Sequence, residues 1–191
     1  MEFLDNQEKG GGSKKMAVAG LFNMMSIMRC INKKSVDGYV KASAMKINPV
    51  FHELFDCLRE WGVKVYVISN GYMECISPLL QGLGVKEGNI AANQFVWWRD
   101  RVICVSPSVL HGVMGKVEIV RRWRAAGLLQ GRVIMVGDGP ADRKVYQSGL
   151  VHGFIQADYY RAGPQTSLPG NVRVATAPEQ LKAHLDAMLL L

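Results

Sequence analysis

The chain lacks any run long enough to cross a bilayer. Its most apolar stretch, Met16 to Ile31, spans 16 residues and contains Arg29, against the about 20 residues that a membrane helix needs. No small-residue cleavage site precedes Asn32, so neither a membrane span nor a signal segment is expected. The sequence also lacks a CxxC pair. Cys30, Cys57, Cys75 and Cys104 stand apart, with no histidine at ligand spacing, which excludes a zinc ribbon or redox dithiol and points to reduced, mostly buried thiols in a cytosolic protein. Charge is sparse, at 20% of residues against a usual ~25%. The net charge is +7, yet no block of four basic residues occurs. The scattered Lys14, Lys15, Lys33, Lys34, Arg121, Arg122 and Arg124 read as a solvated surface that favours anions in general. Nucleic acid is not the expected partner. The alternative is an aromatic and basic surface of Trp97, Trp98, Arg99 and Arg101 with the three arginines.

What is present suits one α/β domain. The 191 residues, at about 150 per domain, allow one compact domain and a small insertion, and 49% hydrophobic residues exclude wholesale disorder. Residues 1–15 are polar after Leu4 and carry a Gly-Gly-Gly-Ser break, so they read as a tail or a very short strand and loop. From Met16 the apolar residues Val18, Leu21, Phe22, Met25 and Met28 follow helical spacing, and Ser35 is a candidate N-cap for a second helix to Ala44. Pro49 opens a helix to Trp61 with Phe51, Leu54, Phe55 and Leu58 on one face, ended by Gly62.

Strands and helices then alternate. Val63–Ser69 reads as a strand, followed by a helix through Gln81. A strand from Ile90 to Trp97 precedes an irregular stretch at Arg101–Val105. A helix spans Gly115–Ala126, and Arg132–Val136 reads as a strand buried on both faces. Pro140 starts the next helix, Val151–Ile155 and Asn171–Ala175 read as strands, and a last helix carries Leu181, Leu185 and Met188. This pattern predicts a doubly wound, mostly parallel sheet. Such sheets bind ligands at the carboxyl ends of their strands.

Three features fall at those ends. Ser69-Asn70-Gly71 closes the strand before a helix and suits an anion, because exposed amides and the helix dipole favour negative charge; an ordinary capped turn has the same sequence. In Gly137-Asp138-Gly139-Pro140-Ala141-Asp142 two carboxylates four residues apart can converge on a hard divalent cation. The alternative is that both merely cap the helix. Lys116 follows Gly115 at a helix start and can carry its charge to the same crevice, although a lone lysine is usually solvated.

In this order, VYVISNG, GKVEIV and VGDGPADRKV resemble the second, third and fourth motifs of the haloacid dehalogenase (HAD) superfamily, in its phosphoserine phosphatase-like branch, over about Ile47 to Ala187. The resemblance implies a HAD-like α/β core at 47–191, a helical cap-like segment at 16–46, and residues 1–15 as a polar tail or the remnant of a first strand. It implies a phosphomonoesterase that uses Mg2+ and acts on a small phosphorylated metabolite, such as a phosphoserine-like compound. Ser69, Asn70, Gly71 and Lys116 would bind phosphate, with Ser69 and Lys116 catalytic, Asp138 holding the metal and Asp142 supporting it.

The family's first motif, DxDGT, is not intact. Asp5 in Phe3-Leu4-Asp5-Asn6-Gln7-Glu8-Lys9 is the candidate nucleophile, with Gln7 in the place of the acid. Losing the first carboxylate removes the attacking group, and losing the second costs the leaving alkoxide a positioned proton, a term of about 10²–10⁴-fold. Three readings are open: the true strand lies upstream, Asp5 is a usable nucleophile, or the domain is catalytically silent and binds a phosphate ligand or a protein partner. A missing central strand would also expose the edges of its neighbours.

Overall fold

The computed structural model describes residues 28, 30–159 and 170–189. The expectations for 1–15, including Asp5, and for the helix beginning at Met16 lie outside the described residues, apart from the buried Met28. Helix α1 runs Lys33–Ala44, and its cap is Asn32, not Ser35. The Asn32 carboxamide accepts from the Ser35 N–H at 2.8 Å while the Asn32 N–H donates to Ser35 Oγ at 3.0 Å. This reciprocal capping box makes Ser35 the third helical residue.

Helix α2, Val50–Glu60, buries Leu54 and Leu58. Gly62 then takes φ +70°, and the Val63 N–H reaches back to the Leu58 carbonyl at 2.8 Å, a left-handed stop that favours glycine. Strand β1 begins later than the sequence suggests, at Val67–Tyr72 instead of Val63–Ser69. Its only strand partner among the described residues is β2, Ile90–Asn93, in parallel register from Val67↔Ile90. Residues 63–66 have no ladder to join. Helix α3, Met73–Gly82, connects the two strands.

The expected strand Ile90–Trp97 breaks at Gln94. After β2 the chain forms β3, Phe95–Trp98, which pairs antiparallel with β4, Arg101–Val105, in the stretch expected to be irregular. Trp98 pairs with Arg101 across Arg99-Asp100, and Arg99 sits at φ +55°, as two-residue hairpin turns require. This hairpin and α1 enclose a cluster of Met28, Val36, Phe95 and Val102. Two thiols depart from the expected burial: Cys30 and Cys104 are exposed. Cys104 lies opposite Val96, beside a break in register that upsets the alternation of inward and outward side chains.

The remainder is α4, Gly115–Ala125; β5, Ile134–Gly137; α5, Pro140–Gln147; β6, Gly153–Ala157; β7, Val172–Ala175; and α6, Gln180–Leu189. Strands β5-β6-β7 form a second parallel sheet, so the expected single sheet is divided in two. Adjacent residues of β5 define its faces: Ile134 packs against Leu54, Leu181 and Leu185, and Met135 against Val117, Val120 and Val145. Helices therefore cover both sides, as parallel strands demand. Even so, β5 is not buried as expected, and Val136 is 37% exposed, because one edge opens onto a cavity of about 590 Å³ lined by Val65–Ile68 and Val133–Val136.

Phe154 at the centre of β6 is fully buried. Phe154→Ala should lower the unfolding free energy by about 3–5 kcal/mol in urea titrations, the usual cost of an emptied aromatic site.

Candidate active site at the strand tips

At the tip of β1 the ladder holds at Ile68↔Ala91, breaks, and resumes at Tyr72↔Asn93, so Ser69-Asn70-Gly71 forms a bulge. Bulges re-aim side chains at such positions. Ser69 Oγ accepts from the Gly71 N–H at 3.0 Å. The Gly71 amide is thus engaged within the corner and does not face outward as expected, whereas the Ser69 hydroxyl keeps its own hydrogen to donate. Asn70 is exposed, and its carbonyl accepts from Asn93 Nδ2 at 2.8 Å. Asn93 is buried and carries no motif signal; it is a positioning residue found only in three dimensions.

At the start of α4, Gly115 is packed so closely that a Cβ would collide with the Val109 carbonyl oxygen and Leu110 Cα. This brings α4 hard against the turn Val109–His111. Lys116 follows, and its Nζ lies 2.6 Å from Asp142 Oδ1, with side-chain exposures of 15% and 4%. Asp142 occupies the first turn of α5, after Pro140, and its Oδ2 accepts from the Gly139 N–H at 3.1 Å. Gly137 leaves the room this needs, since a Cβ there would overlap the Asp142 carboxyl group. The cavity between the sheets is lined as far as Ile68, just before Ser69, and Val136, just before Gly137, but not by Ser69, Lys116, Asp138 or Asp142 themselves.

The six positions proposed from the strand tips are thus only partly brought together. Lys116 and Asp142 are brought into contact, and Ser69, Asn70 and Gly71 form a separate corner in β1. Asp138 stands exposed at the tip of β5. Both Asp142 oxygens already accept from nitrogen donors, Lys116 Nζ and the Gly139 N–H. No group of three histidine, cysteine or acidic side chains suited to a metal occurs among the described residues. A single open carboxylate, Asp138, is left for a hard cation; Mg2+ is commonly held by one or two carboxylates with water and phosphate oxygens completing the shell. Asp142 is held instead between Lys116 and the Gly139 amide, in the loop that follows Asp138.

Other charges are committed elsewhere. Arg121 and Arg122 pair with Glu118 on α4 at 2.7 and 2.9 Å, and these hydrogen bonds, Arg122's first, hold the Glu118 carboxyl below its usual range. Arg124 donates to the Leu150 carbonyl at 2.6 Å. Glu74, in the first turn of α3, accepts from the Phe95 N–H and from Trp97 Nε1, tying the hairpin to the helix after Ser69. Burial, with the Glu74 charge beside it, pushes the Cys75 thiol up, away from the reactive thiolate form.

Removing one member of a buried ion pair leaves the other charge uncompensated. Asp142→Asn should therefore lower the unfolding free energy by about 3–5 kcal/mol, while Glu118→Gln, at the surface, barely moves the midpoint; chemical denaturation of the two variants checks the contrast.

No family model matches the chain. It is 29% identical over 124 residues to the chloroplastic phosphoserine phosphatase of Arabidopsis thaliana, a match covering 63% of this chain and 41% of that protein. A phosphoserine phosphohydrolase-like protein from Francisella tularensis has 25% identity and a TM-score of 0.53, over 66% of this chain and 58% of the other. The phosphoserine phosphatase from T. onnurineus shares the fold, with a TM-score of 0.58 at 20% identity, over 90% of this chain and 74% of that one. The chain thus spans less than two thirds of the first two relatives. Helices layered on parallel strands agree with the α/β expectation, and in sequence and fold the chain is similar to phosphoserine phosphatase and a phosphoserine phosphohydrolase-like protein.

Proposed function

We propose that the chain is a Mg2+-dependent phosphomonoesterase domain for a small phosphorylated metabolite of the phosphoserine type. The observation that carries this reading is the partly buried Lys116–Asp142 pair at 2.6 Å, at the helix starts next to the tip of β5, after which Asp138 stands. The ammonium of Lys116 has three hydrogens and uses one on Asp142, so it keeps two for a phosphate oxygen. The Ser69 hydroxyl donates to a second oxygen, and its bulge holds it in place. Mg2+ on Asp138 would supply positive charge to a phosphoryl group in transfer. Such reactions depend chiefly on positioning and cations, and the net charge of +7 favours anionic ligands over a longer range.

Attack on phosphorus requires a carboxylate, for which Asp5 is this chain's candidate. The carboxylate forms the new bond to phosphorus as the ester oxygen leaves and takes a proton; water then cleaves the acyl phosphate. Gln7, standing where the acid would be, has no proton to give at neutral pH. That substitution favours a second reading, a domain that binds phosphate without turning it over. The proposed setting is cytosolic, which suits an exposed thiol such as Cys104.

Hydrolysis of para-nitrophenyl phosphate with Mg2+ tests the choice. The first reading expects turnover that is lost in both Asp138→Asn and Asp5→Asn. Turnover that survives Asp5→Asn removes Asp5 as nucleophile, no turnover with millimolar phosphate binding supports the second reading, and neither turnover nor binding overturns both.

A further inference from the structure

The aromatic and basic stretch Trp97–Arg101 separates into two parts in three dimensions. Trp97 packs against the cluster of Phe95 and Val102, and its Nε1 donates to Glu74. Trp98 is 66% exposed and Ile103 42%. Trp98 pairs directly with Arg101, and Ile103 stands two residues beyond Arg101 in β4, so the alternation of side chains puts all three on the outer face of the hairpin. The start of α1 meets this face. The Lys33 N–H donates to the Asp100 carbonyl at 3.0 Å and Asn32 bridges to Arg101, which sets the exposed Lys33 and Lys34 beside the exposed Arg99 and Arg101. Two local preferences are overridden at this junction. Helix α1 opens on two lysines with no acid in its first turn, against its own dipole, and Arg99 takes φ +55°, a conformation that glycine or asparagine adopts at less cost. Neither departure is repaid inside the fold. Lys33, Lys34 and Arg99 join none of the side-chain ion pairs among the described residues, although Asp37 and Asp100 are their neighbours in sequence. Rules broken together without an internal gain mark a functional surface.

We propose that this face, built from Trp98, Ile103, Arg99 and Arg101 of the hairpin with Lys33 and Lys34 of α1, docks on the surface of an anionic phospholipid bilayer. An exposed tryptophan settles at the boundary between headgroups and acyl chains, Ile103 adds apolar area on the same side, and the flanking cations meet the phosphate and carboxylate headgroups. No helix among the described residues is long and apolar enough to cross a membrane, so the contact is peripheral. Single-stranded nucleic acid has the same charge but fits the face less well. A strand needs successive rings for successive bases, whereas the hairpin presents Trp98 and commits Trp97 to Glu74, and Ile103 and the exposed Cys104 have no base to stack on. Arg121 and Arg122 of α4 belong to a different surface, where they pair with Glu118.

Ser69, Lys116 and Asp138 take no part in this surface, and its occupation does not depend on turnover. Co-sedimentation of the full chain with vesicles of phosphatidylcholine, or of phosphatidylcholine and phosphatidylserine in equal amounts, tests it. Binding is expected on the mixed vesicles, weakening as salt rises, and not on phosphatidylcholine alone. Near an anionic leaflet each lysine or arginine contributes about fivefold in affinity, so Lys33→Gln with Lys34→Gln should weaken binding about 25-fold. Trp98→Ala should weaken it as well and abolish the blue shift of tryptophan emission that vesicles induce. Arg121→Gln with Arg122→Gln should leave binding unchanged. The altered side chains are exposed and lie on separate elements, and circular dichroism confirms that each variant is folded; should one fail, the other still locates the contact. No binding to mixed vesicles, binding indifferent to both the lysine pair and Trp98, or an equal loss in the Arg121 and Arg122 variant, as diffuse net charge would give, each overturns the proposal. So does an oligothymidylate that binds more tightly than the vesicles and is lost in the same variants, which would make nucleic acid the partner.

Discussion

Ser69 stands at the tip of one parallel sheet and Asp138 at the tip of another, and the chemistry available to the chain depends on how those sheets are held relative to each other. Parallel strands are stable when both edges are paired and both faces covered. Here α2 and α6 cover one face and α4 and α5 the other, so the faces are provided for. Among the described residues the edges of β1 and β5 that face each other carry no strand partner, and the cavity of about 590 Å³ lies between them.

The Lys116–Asp142 contact works within this constraint. It links the first turns of α4 and α5, which pack against β5 through the cluster of Val117, Val120, Val145 and Met135, and so sets the lysine relative to the Asp138 loop. Glycines make the approach possible: Gly137 admits the Asp142 carboxyl group, and Gly115 admits the turn before α4. On the other side, Asn93 and Glu74 fix the serine corner and the hairpin above it by hydrogen bonds. The hydrogen bonds of the site thus fall into two groups, one at the serine corner and one between the starts of α4 and α5.

How far this was legible in the sequence depended on whether an element is governed locally. The α2 stop at Gly62, the Pro140 start of α5 and the apolar face of α6 are decided by neighbouring residues, and they stand where the pattern puts them. The order of motifs also located Ser69, Lys116, Asp138 and Asp142 at strand or helix ends. What was missed depends on distant partners. The start of β1 is set by where β2 lies alongside it, and the exposure of Val136 by what lies beyond the edge of β5. The β3–β4 hairpin turns on Arg99-Asp100, a pair without the usual glycine signal. Asn93 acts only through the Asn70 carbonyl, and the ion pair that occupies Asp142 comes from a lysine 26 positions away.

The central claim is that the tips of both sheets form one anion and cation site. Amide chemical-shift mapping during titration with inorganic phosphate and Mg2+ tests it most directly. The account predicts that Gly71, Lys116 and Gly137–Gly139 shift together along one saturation curve. Shifts confined to the Arg121, Arg122 and Arg124 surface, or separate curves for Gly71 and Gly139, would contradict it.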